Sequence, residues 1–298
     1  MTDETFALTL RGLTKSYGDF RLGPLDLDLE LGRVVAFVGP NGAGKTTTLQ
    51  SIMRLVRPDG GEVKIHGRVN DPQDVRWKEE VGFVGEAQGF YQDWTVEKNL
   101  EFLGRFYGGW DHGFASGLAR RFDLRLDKKA KTLSKGNRAK LALVAALGHR
   151  PRVLLLDEPT QGLDPVVRTE VLDVLWEFLE DGERSILYST HVLSDISRLA
   201  DELVFLRDGQ LVGRSAKESL TDTWRRLSFR HGGQIPKDLV GVRSSKSHGA
   251  EFQLVSADHE ATRRSLQEMG VDGVQVTRMT IEEIAVEILK EGHRVEAA

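Results

Sequence analysis

A chain of 298 residues is long enough for one large domain with a sizeable core and a second, smaller domain. A net charge of −4 and a pI near 6.1 give no general basic field, so we expect no nucleic-acid partner. The absence of cysteine excludes disulfides and cysteine-based zinc or iron–sulfur sites, and it suits a reducing compartment.

The apolar stretches of the chain give no sign of a membrane anchor. Residues 1–5 are acidic and lack the basic and apolar regions of a signal peptide. The longest apolar run, at 141–148, is far shorter than the roughly 20 residues of a membrane-spanning helix. We therefore expect a soluble protein that reaches a membrane only through a partner.

Two stretches near the start alternate polar and apolar residues, at 6–10 and 25–31. This period of two predicts strands of an antiparallel sheet with one face in water. Tyr17 lies between the two stretches.

Residues 39–46 fit the pattern G-x-x-x-x-G-K-[ST] of a phosphate-binding loop. The apolar run 34–38 before it predicts a buried strand, and the run 46–53 after it predicts a helix, which favours this motif over an ordinary glycine-rich turn. The glycines let successive N–H groups point at a polyphosphate, and the helix N-terminus adds a positive dipole end. Lys45 can reach the terminal phosphates and the Thr46 hydroxyl can ligate Mg2+. The sequence therefore predicts binding of a nucleoside triphosphate.

Beyond the apolar strand predicted at 81–84, the chain becomes rich in aromatic residues and its pattern becomes helical. This change predicts a helical subdomain, about residues 90–150, inserted into an α/β core. The aromatic residues either form its core or, for Phe90, Tyr91 and Trp94 above all, face a partner protein. The sequence leaves both interpretations open.

Two short polar segments carry further candidate chemistry. The apolar run 153–156 ends in Asp157 and Glu158, where an aspartate can hold Mg2+ and the glutamate can polarise a water aimed at the γ-phosphate. The alternative is a carboxylate pair that only ends a strand. Ser134 precedes an apolar helix and can cap it, which makes a second anion site or an ordinary helix cap.

The remaining elements complete an α/β pattern. A helix opened by Pro165 is predicted at 166–179, a strand at 185–189 ends before His191, and Asp208-Gly209 predicts a hairpin. After residue 220 the composition changes, and the order strand, strand, strand, helix, strand, helix predicts a small α+β domain. The apolar stripe of its last helix consists of Ile281, Ile284, Ala285 and Ile288.

In this order the motifs resemble those of the ATP-binding subunit of ABC transporters, most closely the exporter-type branch whose partners are separate, ABC-2-like membrane proteins. The resemblance covers about residues 6–220, and the α+β tail is similar to the tail of that branch. The matched positions are Tyr17 for the aromatic residue that stacks on adenine, 39–46 for Walker A, Glu86 for the Q-loop, 133–137 for the signature LSGGQ, 153–157 for Walker B, Glu158 for the catalytic carboxylate, 162–164 for the D-loop and His191 for the switch histidine.

The resemblance implies a P-loop ABC-type ATPase core of the α/β class, with an antiparallel β subdomain and the inserted helical subdomain. We expect this domain at 1–220 and the C-terminal α+β accessory domain at 221–298. The resemblance also implies an ATPase that uses ATP and Mg2+ to power export of an unidentified solute through a separate ABC-2-like transmembrane permease. Its place would be peripheral, on the cytoplasmic face of the cell membrane.

The resemblance further implies a head-to-tail dimer, either a homodimer or a heterodimer with a related ATPase subunit, in which each ATP lies between Walker A of one subunit and Ser134 of the other. The implied site residues are Glu158 and His191 for catalysis; Tyr17, Gly39, Asn41, Gly42, Gly44, Lys45, Thr46, Thr47, Ser134, Gly136 and Asp164 for the nucleotide; and Thr46, Asp157 and Glu86 for the metal.

Four positions, two of them in the signature, depart from the family pattern. Lys135 and Asn137 replace Gly and Gln in the signature, as a comparable Lys does in related exporter subunits. Glu86 replaces the Q-loop glutamine, and Gln88 follows two residues later, so either residue can be the one that couples to the membrane partner. Gln161 replaces the usual Ser before the D-loop.

Two other function classes are less consistent with the chain. Soluble ABC ATPases of translation usually carry two cassettes, whereas the sequence indicates one here. Those of repair carry long coiled coils or zinc cysteines, and we find neither in the sequence. A nucleotide sensor without catalysis conflicts with the presence of Lys45, Asp157, Glu158 and His191.

Overall fold

The computed structural model describes residues 5–86, 89–233, 235–236 and 239–291. The strands are β1 Phe6–Tyr17, β2 Phe20–Glu30, β3 Val34–Val38, β4 Gly60–Ile65, β5 Arg68–Val69, β6 Val81–Val84, β7 Val153–Asp157, β8 Ser185–Thr190, β9 Glu202–Arg207, β10 Gln210–Ala216, β11 Arg225–Arg230, β12 Val242–His248, β13 Glu251–Ser256 and β14 Gln275–Arg278. The helices are α1 Lys45–Ile52, α2 Val96–Gly104, α3 His112–Arg121, α4 Lys135–Leu147, α5 Pro165–Leu179, α6 Leu193–Leu199, α7 Lys217–Thr223, α8 His259–Glu268 and α9 Ile281–Glu291. None of the helices in these ranges is both long and apolar enough to cross a membrane.

Contacts between residues divide the chain into two compact units. The first consists of Met1–Ala200 with Leu206–Leu211, and the second of Asp201–Phe205 with Val212–Ala298. The domain boundary predicted after residue 220 falls inside the second unit and stays a prediction.

The first unit is built on parallel strands in the order β6-β7-β8-β3. Strands β3, β7 and β8 are buried along their whole length, as the apolar runs of β3 and β7 predict for a sheet covered on both faces. The turn predicted at Asp208 and Gly209 is observed between β9 and β10. Because the strands are parallel, the segments that follow β3, β6, β7 and β8 leave from one edge of the sheet.

A second sheet of the first unit is antiparallel, in the order β2-β1-β4-β5. Strand β2 alternates buried leucines with exposed residues over much of its length. This sheet confirms the predicted antiparallel subdomain with one face in water. Strands β1 and β2 meet in a tight hairpin, in which Tyr17 is paired with Phe20.

The predicted helical segment contains α2, α3 and α4. Their apolar faces join one core cluster with residues of the parallel sheet and of α5. Trp110 packs tightly between two glycines, Gly104 at the end of α2 and Gly148 just after α4. Phe90 and Trp110 pack half-buried against this core, whereas Tyr91 and Phe106 are exposed. The aromatic residues therefore divide between core and surface.

The second unit contains a four-stranded antiparallel sheet in the order β12-β13-β11-β14. The predicted succession of strand, strand, strand, helix, strand and helix is confirmed by β11, β12, β13, α8, β14 and α9. The stripe of α9 is also confirmed, because Ile281, Ile284 and Ala285 are buried. A small core of its own forms around Leu227, Phe229, Leu254, Leu266 and Val271.

Replacing Gly148 by alanine is expected to destabilise the protein, because the added methyl carbon would lie 2.4 Å from the Trp110 ring. Overpacking of a filled core costs about 1–3 kcal/mol, and the free energy of unfolding in urea measures the loss. Gly117→Ala in α3 is the matched control. Nothing lies within 4 Å of its added methyl group, and alanine is favoured over glycine in a helix by about 1 kcal/mol. Equal destabilisation by both substitutions would contradict the packing argument.

Candidate active site

The phosphate loop, residues 39–44, connects β3 to α1. Gly44 has a φ of +105°, and a Cβ there would lie 2.5 Å from a methyl carbon of Leu22. A Cβ on Gly39 would lie 2.1 Å from the carbonyl oxygen of Leu206. Glycine is thus required at both positions, because a Cβ at either one would collide with a neighbouring atom. At Gly44 the left-handed backbone conformation requires it as well. The loop leaves Asn41 and Gly42 exposed, with Thr46 and Thr47 half-buried at the helix start.

Lys45 is almost fully buried, with its ammonium group inside the loop. Its Nζ donates hydrogen bonds to the carbonyl oxygens of Gly39 at 2.8 Å and Pro40 at 3.1 Å. Oε1 of Glu158 lies 3.9 Å from the same nitrogen. Burial lowers the pKa of Lys45, and the negative charges of Glu158 and Asp157 oppose that shift. The ammonium group of Lys45 therefore lies inside the loop that is expected to bind the phosphates.

Asp157 ends β7 and is only 2% exposed. The Thr46 hydroxyl donates to its Oδ1 at 3.1 Å. Burial raises the pKa of Asp157, because the charged carboxylate loses its hydration; the negative charges of Glu158 and Glu86 act in the same direction. A cation beside this carboxylate would offset that cost.

The residues expected to hold Mg2+ fit such an ion. Glu86 is exposed just after β6 and lines one cavity of about 290 Å³ together with Asp157 and Glu158. Over the described ranges no group of three or more His, Cys, Asp or Glu side chains is placed to hold a metal. Mg2+ usually takes one or two carboxylates and completes its shell with water and substrate phosphates, and Asp157 and Glu86 are two such carboxylates. Gln88, the other candidate for the Q-loop role, lies outside the described residues.

Glu158 and His191 come together although they leave different strands. Nδ1 of His191 lies 2.9 Å from Oε2 of Glu158, and the backbone N–H of His191 donates to the same oxygen at 3.2 Å. The backbone N–H of Glu158 donates to Ser189 O at 2.9 Å. Glu158 also has a φ of +51°, in the left-handed region that non-glycine residues rarely occupy. A strained residue at the end of a buried strand is typical of a functional position.

The signature and D-loop residues begin helices. Ser134 is the N-cap of α4 and accepts from the Asn137 backbone N–H at 3.2 Å. Asp164 is the N-cap of α5 and accepts from two backbone N–H groups, each at 3.1 Å. Gly136, in the first turn of α4, lies close to a side chain of α5. Ser134 makes no hydrogen bond to residues 39–46 of its own chain in the described ranges.

Tyr17 ends β1, and its ring is 45% exposed, with Lys15 Nζ 5.1 Å from the ring centroid. Sequence reasoning missed its neighbour Phe20, whose ring would touch a Cβ on Gly44 at 3.2 Å. The cross-strand pair of Tyr17 and Phe20 thus lies beside the phosphate loop. The short interval between the two aromatic residues, which is typical of a hairpin, was the signal available in the sequence.

Comparison with known proteins places this arrangement among nucleotide-dependent transport proteins. Residues 22–161 match the family model described as ABC transporter. The chain is 35% identical over 208 residues to the ABC transporter ATP-binding protein NatA of Bacillus subtilis, covering 67% of this chain and 84% of that protein. It is 32% identical over 315 aligned positions to the daunorubicin resistance ATP-binding protein DrrA3 of Streptomyces coeruleorubidus, covering 98% of each.

A solved structure has the same fold. It is an ATP-binding cassette crystallised as a dimer in a post-hydrolysis state with ADP and phosphate. The TM-score is 0.63 at 26% identity, and the match covers 70% of this chain and 98% of the cassette.

Replacing Tyr17 by alanine is expected to weaken ATP affinity by about 1–3 kcal/mol, the usual contribution of a base stacked on an aromatic ring. Titration calorimetry with ATP measures the change, and Tyr17→Phe, which keeps the ring, is the control. Because stacking contacts a ring face, affinity for GTP should fall in parallel. Unchanged ATP affinity in Tyr17→Ala would identify Tyr17 as an ordinary surface residue at a strand end.

Proposed function

The chain belongs to the ABC transporter family as an ATP-binding subunit, and we propose that it powers export of a solute through a separate ABC-2-like permease. It binds and hydrolyses ATP, works with a transmembrane partner and dimerises, as members of this family do. Likeness to a daunorubicin resistance protein along 98% of both chains supports the export branch, because the match includes the C-terminal region. The observation that carries the catalytic part is the Glu158–His191 pair beside Lys45.

We propose that the phosphate loop binds the triphosphate through backbone N–H groups and the Lys45 charge. Its hydrogen bonds to Gly39 and Pro40 already hold the ammonium group inside the loop. Tyr17 provides a ring face for the base. The proposed nucleotide-binding residues of the loop are Gly39, Asn41, Gly42, Gly44, Lys45, Thr46 and Thr47.

Mg2+ would be held by Thr46, Asp157 and Glu86. The support is the hydrogen bond between Thr46 and Asp157, and the burial of a carboxylate whose charge a cation would stabilise. When bound, the ion would neutralise charge that develops in phosphoryl transfer. Phosphoryl transfer depends mostly on such positioning and charge stabilisation.

Glu158 is proposed to orient the attacking water and accept its proton, and His191 to contact the γ-phosphate. Because Nδ1 of His191 already faces Glu158, Nε2 is the ring nitrogen that remains for the phosphate. Lys45, 3.9 Å from Glu158, supplies positive charge on the side of the loop. The contact between Glu158 and His191 thereby links the group that activates water to the group that contacts the γ-phosphate.

Ser134, Gly136 and Asp164 are proposed to act on the nucleotide of the partner subunit in a head-to-tail dimer. The support is that Ser134 is exposed at the N-terminus of α4, where backbone N–H groups can bind an anion. ATP that contacts both subunits only when they are closed shifts the equilibrium by its differential affinity. The dimer is either a homodimer or a heterodimer with a related ATPase subunit, placed peripherally on the cytoplasmic face of the membrane.

Glu158→Gln is expected to bind MgATP, close the dimer and stall there, because the side chain keeps its reach but loses the charge that activates water. Gel filtration with light scattering should show a dimer in ATP, and phosphate release should fall by at least about 100-fold, near the lower bound for a lost general base. Lys45→Ala is the matched comparison, since it should lose ATP binding or hydrolysis, and where binding is lost it should stay monomeric in ATP.

A normal hydrolysis rate in Glu158→Gln would place the base elsewhere. A monomer at saturating ATP would instead reject the closed dimer. Wild-type ATPase activity in Lys45→Ala would contradict the assignment of the phosphate loop itself.

The proposed docking surface for the permease is an aromatic patch, defined as Tyr91, Trp94, Phe102 and Phe106. Tyr91 and Trp94 stack with ring centroids 4.2 Å apart, and Phe102 meets both edge-on at 5.3 and 5.4 Å. Tyr91 is 50% and Phe106 65% exposed. Exposed, mutually packed aromatic rings are typical of a protein interface, and this patch follows Glu86 closely in the chain. Phe90 is excluded from the patch because it packs against the core.

Substituting Trp94 or Tyr91 with glutamate is expected to abolish stimulation of the ATPase by the permease and to leave basal activity unchanged. The measurement compares ATPase rates with and without the transmembrane permease partner, in proteoliposomes. Trp176→Glu is the matched control, because Trp176 is 47% exposed on α5, outside the patch. Loss of folding in the Trp94 variant together with normal stimulation in the Tyr91 variant would assign Trp94 to the core and reject the patch.

A further inference from the structure

A buried polar cluster of the first unit lies outside the residues proposed to bind the nucleotide and outside the proposed docking surface. We call it the Asp195 cluster: Thr160, Arg168, Tyr188 and Asp195. Oδ2 of Asp195 accepts hydrogen bonds from the Thr160 hydroxyl and, at 3.1 Å, from the Tyr188 hydroxyl. The other carboxylate oxygen, Oδ1, is paired with the guanidinium of Arg168 through both Nε and Nη2.

Three of the four members of this cluster are deeply buried, and Arg168 is partly exposed. Asp195 is 0%, Thr160 3% and Tyr188 2% exposed. A buried carboxylate is costly unless it is paired and hydrogen-bonded, and removing one partner of such a network leaves the others unsatisfied. Here each carboxylate oxygen has a partner, so the network holds its members in one arrangement.

The members of the cluster come from the segments that carry the proposed catalytic groups. Thr160 lies two residues after Glu158, in the turn that leads to the D-loop. Tyr188 lies three residues before His191 on β8, and Asp195 lies four residues after His191 on α6. Arg168 lies on α5, one turn after Asp164. A single carboxylate therefore ties together the chain on both sides of His191, the chain after Glu158 and the helix that follows the D-loop.

We propose that Asp195 is a positioning residue that fixes the distance between Glu158 and His191, acting through Thr160 and Tyr188 and touching neither nucleotide nor water. This inference rests on the roles proposed above for Glu158 and His191. The 2.9 Å contact between those two side chains depends on two loops that leave different strands. The Asp195 cluster cross-links these loops on the side of the protein interior, where a substrate cannot rearrange them. Shifting a catalytic group by about 1 Å can cost a hundredfold in rate.

Thr160→Val tests the proposal, because valine keeps the volume of threonine and removes only the hydroxyl. We expect kcat for ATP hydrolysis to fall about tenfold or more, with the Kd for MgATP changed less than twofold. Thr160→Ser, which restores a hydroxyl, should recover most of the lost kcat. Tyr188→Phe removes the second donor to Oδ2 and should lower kcat in the same way.

Thr262→Val is the matched control for a buried hydroxyl lost elsewhere. Thr262 is 0% exposed in the second unit and bonds to Ser256 and to the carbonyl oxygen of Val240. Its variant should show a similar loss of thermal stability with unchanged kcat. If kcat falls equally in the Thr160 and Thr262 valine variants, the loss comes from general destabilisation, and the proposal is overturned.

Two further outcomes separate the possible failures. Wild-type kcat in a folded Thr160→Val protein would overturn the role of Asp195 and leave the proposed catalytic function intact. Normal hydrolysis by Glu158→Gln would reject the catalytic pair itself, whatever the Thr160 variants do.

Discussion

Parallel strands that are buried along their length must end at a common edge, and the candidate active site depends on that constraint. The chain that leaves β3 forms the phosphate loop, the chain that leaves β7 begins with Glu158, and the chain that leaves β8 reaches His191. None of these residues has to be brought in by a long flexible segment. The apolar runs in the strands therefore stabilise the fold and set the spacing of the polar groups that follow them.

Burial also determines the electrostatics at this edge. Asp157, Glu158 and Lys45 are all largely withdrawn from water, so their charges interact more strongly than they would on the surface. The carboxylate of Asp157 is disfavoured by burial and by its two acidic neighbours, while burial also disfavours the charge of Lys45. A site with an excess of buried negative charge is suited to a divalent cation that arrives with its phosphates.

Local motifs made much of this architecture predictable. The phosphate loop could be recognised because its residue types, its glycines and its flanking strand and helix all lie within twenty positions. The contact of Glu158 with His191 could be anticipated only through the family resemblance, since the two residues are far apart in sequence. The Asp195 cluster could not be predicted at all, because Thr160, Arg168 and Tyr188 each have common explanations as cap, surface or core residues. Only their proximity in the folded structure shows that these three residues form a cluster with Asp195. The aromatic segment shows the same limit, since hydrophobicity does not separate the half-buried Phe90 from the exposed Tyr91 beside it.

The hydrogen bonds from Lys45 to two carbonyl oxygens of its own loop have a consequence for which anions can enter. The negative ends of these two carbonyl dipoles point at the ammonium group, so they partly offset its charge and weaken its attraction for an incoming anion. An anion must therefore compete with these carbonyls for the same donors. A single inorganic phosphate can reach fewer of the donors at once, whereas a polyphosphate chain can engage Lys45 and the backbone N–H groups together. We therefore expect the loop to favour ligands that make several contacts at once over small anions.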